Sequence, residues 1–158
     1  MEVIIKRKGS IFGSNCEALV NPVNCVGVMG AGLAKQFKER YPINFKHYRL
    51  QCDNNKLELG GFTVTINEKE KTIVNLATKD HYNEKSNKNL VLTGFENVIN
   101  NILYGNRLYR INSIAFPMIG CGLGGLNKKE ILNRMLNILK IIDKNHGYNT
   151  LKVEIYYL

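Results

Sequence analysis

The sequence predicts an α/β fold of three layers, with helices on both faces of a mixed, mostly parallel sheet of about six strands. Apolar, β-favouring runs alternate with amphipathic helical stretches through most of the chain. Two glycine-rich stretches, residues 27–32 and 117–125, each follow an apolar strand and precede a helix. A length of 158 residues, 44% hydrophobic and 22% charged, suits one folded domain over residues 1–158 with a real core.

Residues 3–5 are the apolar centre of a first strand, and Lys8-Gly9-Ser10-Ile11-Phe12 is the turn after it. Residues 18–23 read as the second strand, which Asn21, Pro22 and Asn24 punctuate. Helical spacing begins at Leu33 and runs through Ala34, Phe37 and Lys38 until Tyr41 and Pro42 end it. Residues 42–52 read as a second, shorter helical segment with Phe45, Tyr48 and Leu50 apolar. Residues 62–66 alternate with period two, and a charged turn at 67–71 makes a hairpin into residues 72–78, apolar enough for a central strand.

Residues 79–88 form a polar, irregular loop at the end of that buried strand, a position that often carries function. Residues 89–104 place Leu90, Leu92, Phe95, Val98, Ile99, Ile102 and Leu103 at amphipathic spacing. Residues 113–116 are a short buried strand before the second glycine loop. Asn127 and Glu130 form a variant capping box, and the helix they open continues through Ile142 until Gly147 stops it. Residues 151–158 are the last strand. The loops after Val23, Thr78 and Phe116 then lie beyond the carboxyl ends of strands, where ligands sit in such folds.

A glycine loop that opens a helix presents free N–H groups at the positive end of the helix dipole, an anion site used most often for phosphate. Neither a GxxxxGK motif ending in Ser or Thr nor GxGxxG is present. One such loop therefore reads equally as a tight connection that glycine merely permits. Two in one small domain point to a diphosphate held between them. Cys16, Cys25, Cys52 and Cys121 show no CxxC pairing and no close Cys/His cluster, so neither a metal nor a cofactor is expected. Free thiols fit a reducing compartment. Cys121 reads either as a nucleophile or as a small side chain packed beneath its loop, and the lack of a His nearby in sequence favours packing.

The formal net charge of +9 attracts polyanions, nucleic acid included, although the lysines are spread out without a dense run. No apolar run reaches the ~20 residues of a membrane span, so no membrane partner is expected. The first nine residues lack the apolar core of a secretory signal, which places the protein in the cytoplasm.

Four stretches together resemble the macrodomain pattern: Gly9-Ser10-Ile11, Val20-Asn21-Pro22-Val23-Asn24, and residues 27–32 and 120–125. The resemblance covers essentially the whole chain. It is strongest to the DarG antitoxin branch of that family, whose strand–glycine loop–helix pattern is matched over residues 21–42. The block Asn75-Leu76-Ala77-Thr78-Lys79-Asp80-His81-Tyr82, with Ser86 beyond it, is also similar to that branch.

The resemblance implies an ADP-ribose-binding fold and, in this branch, removal of ADP-ribose from thymidine bases in DNA. It implies Lys79 as the catalytic lysine and Asn24 as its companion, in contact with the distal ribose. The ligand-contacting set it implies is Ser10, Ile11, Asn21, Asn24, Val28, Met29, Gly30, Ala31, Gly32, Thr78, His81, Gly120, Cys121, Gly122, Leu123 and Gly124. The implied partners are ADP-ribose, ADP-ribosylated DNA and a cognate ADP-ribosyltransferase toxin, with the protein acting as a monomer. Elementary chemistry agrees. Glycine loops supply N–H donors to a diphosphate, an Asn offers donor and acceptor to ribose hydroxyls, and a lysine serves as nucleophile or as a cation for the leaving group.

Two positions depart from the family. Ser10 stands where an Asp usually recognises adenine. Gly124 stands where related human terminal ADP-ribose glycohydrolases, which act on acidic protein side chains, carry an Asp after G-C-G-L. A Lys/Asp pair is therefore not supported, and DNA-linked ADP-ribose is preferred over protein-linked esters. A non-catalytic ADP-ribose reader and an ADP-ribose 1″-phosphate phosphatase are the remaining alternatives.

Overall fold

The computed structural model describes residues 1–105, 108, 110–147 and 149–158. In chain order the elements are β1 (Glu2–Lys6), β2 (Ala18–Asn24), α1 (Gly32–Arg40), α2 (Pro42–Asp53), β3 (Phe62–Glu68), β4 (Lys71–Lys79), α3 (Lys88–Tyr104), β5 (Ser113–Pro117), α4 (Lys128–His146) and β6 (Lys152–Tyr156). A single 3-10 turn, Ile11–Gly13, follows β1. The strands form one sheet in the order β1-β6-β5-β2-β4-β3. Every neighbouring pair is parallel except the β3–β4 hairpin.

Period-two alternation decides which residue meets which layer. Val20, Val74, Leu76, Ile114 and Phe116 face α3 and α4, with Phe95, Ile99, Ile131 and Met135 packed on them. The intervening Leu19, Ile73 and Ala115 face Phe37 and Tyr41 of the α1 region. Val23 and Ala77 face Tyr48 and Cys52 of α2. The expected three layers and mixed sheet are those observed.

The differences are local. α2 has 12 residues against nine in α1, so the second helix is the longer of the two. Its start is held by a residue distant in sequence. Glu68 of β3 accepts the Ile43 and Asn44 backbone N–H groups at 2.9 and 2.6 Å, which places a carboxylate on the helix's positive end. Leu50 is exposed, and Cys52 is the buried residue near the end of this helix. β4 starts at Lys71, so the hairpin turn shrinks to Lys69 and Glu70, both left-handed at φ 49° and 67°. Non-glycine residues are strained there. Glu70→Gly is expected to raise stability by about 1 kcal/mol, measured as a higher denaturant midpoint at unchanged slope.

Candidate functional site

β2 stays paired with β4 from Ala18 to Asn24 but pairs with β5 only at Ala18 and Leu19. Beyond Leu19 the two strands part, and chain order reverses between them: β2 leads by α1, α2 and β3 to β4 on one side, and α3 returns to β5 on the other. Such a switch point opens a crevice at the strands' carboxyl ends. Pro22 and Pro117, which have no N–H to extend a ladder, both line it. The cleft has a volume of about 670 Å³.

One wall is the loop into α1. Ala31 caps α1 with no side-chain hydrogen bond, and the first turn carries no acidic residue. α2, α3 and α4 each begin on a side-chain acceptor, from Glu68, Asn87 and Asn127 respectively. The free N–H groups of α1 therefore open at the cleft beside Gly30, Ala31, Gly32 and Val28. The facing wall contributes Gly120, Gly122, Leu123 and Gly124. Two of these glycines are set by packing. A Cβ on Gly120 would lie 2.7 Å from Leu126 Cδ1, and one on Gly124 would lie 2.5 Å from the Gly120 carbonyl oxygen and 2.4 Å from Ser86 Oγ. Gly122 meets nothing within 4 Å, so its bare face is turned to open space. The position where other hydrolases hold an Asp thus has no room for any side chain in this loop.

Lys79 ends β4, half-buried, and lines the cleft with Thr78. It forms no ion pair with a described carboxylate. A bulge shifts the β2–β4 register after Val23, so that Asn24 becomes the cross-strand partner of Lys79. The two residues proposed for catalysis from sequence are therefore neighbours across the ladder.

Asn24 is already heavily engaged. Its Oδ1 accepts from the Val26 N–H at 3.1 Å, the Val28 N–H at 3.3 Å and the Tyr48 hydroxyl at 2.8 Å. Its Nδ2 donates to the Val28 carbonyl at 2.8 Å. Burial pushes the Tyr48 phenol up, which keeps it a proton donor. One Nδ2 hydrogen is left for a ligand. Asn24 is thus a brace for the loop as much as a ribose contact.

Three residues of the expected ligand set fall elsewhere. Asn21 is fully buried and donates to Asn75 Oδ1 at 3.1 Å, inside a network that includes Asn44 and Thr63. It shares a strand face with Leu19 and Val23, which the pleat turns to the core. The Met29 side chain is buried against Tyr48 and Val23. His81 does not line the cleft. Its ring contacts Asn83 Oδ1 and packs on Tyr82, and Tyr82 is the aromatic residue in the lining.

Ser10, Ile11 and Cys121 line a second compartment of about 430 Å³ with Phe12, Gln36 and Lys128. It shares Leu33, Pro117, Met118 and Gly122 with the main cleft. Ser10 Oγ accepts the Phe12 N–H at 3.2 Å, keeping its own hydrogen to donate. Burial pushes the Cys121 thiol up to about 11. At neutral pH it stays protonated, which sets aside the nucleophile reading. Its alkylation by iodoacetamide at pH 7.5 is expected to run about 100-fold slower than that of an ordinary thiol and to rise as pH climbs toward 11. Mass-spectrometric rates across pH test this. Gln36 and Lys128 went unmarked in the sequence, while Pro22, Pro117 and Tyr82 stood within its motifs but outside the expected ligand set. The two prolines at strand ends were the available signal.

Among the described residues no helix is long and apolar enough to cross a membrane, and no cluster of His, Cys, Asp or Glu could hold a metal ion.

A family model described as Macro domain matches residues 20–135. A DNA ADP-ribosyl glycohydrolase of Mycobacterium tuberculosis is 37% identical over 132 residues, covering 82% of this chain and 36% of the relative. A DNA ADP-ribosyl transferase-DNA ADP-ribosyl glycohydrolase fusion protein of Thermosipho africanus is 30% identical over 137 residues, covering 75% and 34%. The chain spans about a third of the length of these curated relatives. The solved macrodomain of Thermus aquaticus DarG matches with a TM-score of 0.85 and 31% identity, covering 99% of this chain and 98% of that one. With its sequence matched over residues 20–135 and its fold over nearly the full length, the chain belongs to the macrodomain family.

Proposed function

We propose that this domain binds ADP-ribose in the cleft and removes it from thymidine bases in DNA, opposing a DNA ADP-ribosyltransferase toxin. The observation that carries the reading is Lys79, placed at the cleft beside Asn24 and between two glycine walls suited to a diphosphate. The names of relatives at 30% identity and above support the substrate and the pairing with a transferase. The lack of room at Gly124 weighs against the Lys/Asp arrangement of protein-ester hydrolases.

The diphosphate lies across the N–H groups of α1 and the Gly122 face, which sets the distal ribose at Asn24 and Lys79. The bond to break joins the anomeric carbon to the base. Water ends on that carbon and a proton on the base. Lys79 acts at this carbon, as nucleophile or as the cation that supports the departing base. Borohydride trapping separates the two. A covalent protein–ADP-ribose adduct at Lys79 makes it the nucleophile, and its absence during turnover leaves the cationic role.

The test of function is release of ADP-ribose from a thymidine-ADP-ribosylated single-stranded oligonucleotide, beside a glutamate-ADP-ribosylated protein. Release from DNA alone is expected. Release from protein alone moves the chain to the ester-hydrolase class, and binding without release from either makes it a reader.

A further inference from the structure

We propose that Tyr82, backed by His81, is a stacking platform for a DNA base at the mouth of the cleft, a subsite separate from that for ADP-ribose. The inference rests on the DNA reading above. Tyr82 lines the cleft and is 53% exposed, so its ring is accessible to a ligand there. Its ring lies against His81, centroids 4.1 Å apart at 36°. His81 in turn meets Asn83 at Nδ1: in one tautomer Nδ1–H donates to Asn83 Oδ1, and in the other Nδ1 accepts the Asn83 backbone N–H at 3.3 Å. The ring contact restrains the pair before any ligand arrives, which lowers the rotamer freedom lost on binding.

The place of this ring matters. It lies three residues after Lys79 in sequence and lines the same cleft. On the reading above, whatever ADP-ribose is attached to leaves the cleft from Lys79. Leu123, 71% exposed on the glycine loop, adds a second apolar surface to the same lining. An aromatic face beside exposed apolar surface matches the π-face of a nucleobase, which stacks on Tyr with little sequence preference. The net charge of +9 supplies attraction for the flanking phosphates. Such a base must be unpaired, since both faces of a base inside a duplex are already stacked. The fitting ligand is thus a thymine, or its neighbour, in single-stranded DNA.

The experiment compares wild type, Tyr82→Ala and Tyr82→Phe. The probes are free ADP-ribose and a thymidine-ADP-ribosylated single-stranded oligonucleotide. Tyr82→Ala is expected to raise KM for the oligonucleotide by about 5- to 150-fold while its Kd for free ADP-ribose stays within about twofold, a comparison that also certifies folding. Tyr82→Phe restores the KM, because the stack needs the ring and not the hydroxyl. An unchanged KM in Tyr82→Ala overturns the proposal. So does an equal loss of affinity for free ADP-ribose, which would make Tyr82 part of the ADP-ribose site. If wild type leaves the oligonucleotide intact, the hydrolase reading falls and anisotropy with the same oligonucleotide decides the subsite alone. Weaker binding by Tyr82→Ala then upholds it. Equal binding, or binding by wild type no tighter than to free ADP-ribose, rejects it.

Discussion

Lys79→Ala is expected to lower turnover on ADP-ribosylated DNA by roughly 10²–10⁴-fold while leaving affinity for ADP-ribose within a few-fold. The expectation follows from position. Lys79 sits at the end of β4, across the bulge from Asn24, whereas the surfaces for the diphosphate are backbone N–H groups and bare glycines on other elements. Removing the ammonium takes away a group that acts at the reacting carbon and leaves the phosphate cradle standing. Isothermal titration gives the affinity and single-turnover release gives the rate. Lys79→Arg keeps the positive charge but cannot act as a nucleophile, so partial activity in that variant would assign Lys79 an electrostatic role. Undiminished release by Lys79→Ala would remove the residue from the mechanism and with it the main support for a hydrolase.

The glycine walls were legible as a pair, since one glycine loop alone reads equally as a tight connection. Lys79 was legible only through the resemblance of its block, because a lysine after a buried strand is otherwise an ordinary loop residue. What depended on distant partners was not legible. Residues 21 and 24 are both Asn in one motif, yet only the second faces the cleft. The pleat puts Asn21 with Leu19 and Val23 toward the core, where Asn75, opposite it in register, accepts from its Nδ2. Period two along β2 contained that answer. The register shift that brings Asn24 level with Lys79 was not contained in it. The start of α2 was placed correctly at Pro42, but its cap, Glu68, arrives from another strand and could not be read from local spacing. In the loop after β4 no periodicity says which of two adjacent aromatic rings turns inward, and of His81 and Tyr82 it is Tyr82 that lines the cleft.

Asn24→Ala is expected to lower both stability and ligand affinity, unlike Lys79→Ala. The side chain closes residues 24–28 into a ring: one oxygen takes the Val26 and Val28 N–H groups and the Tyr48 hydroxyl, and the amide nitrogen holds the Val28 carbonyl. Truncation leaves these groups short of partners in a partly buried setting. The Tyr48 hydroxyl retains the Asn24 backbone carbonyl at 2.8 Å, so the loss centres on the two N–H groups and the Val28 carbonyl. An unsatisfied buried group costs about 1–3 kcal/mol, and water entering from the half-open loop recovers part of it, so a loss of about 2–4 kcal/mol is expected. That corresponds to a fall in Tm of roughly 5–15 °C for a chain of this size. Once residues 26–28 relax, the N–H groups at the start of α1 lose their fixed aim, and affinity for ADP-ribose should fall by about 100-fold. Asn24→Asp separates the two roles. It keeps an oxygen for the N–H groups but faces the Val28 carbonyl with a second acceptor, so it should fall between wild type and Ala in stability. A full loss of affinity with unchanged Tm in Asn24→Ala would make the residue a ligand contact alone and would leave the loop's shape to its glycines.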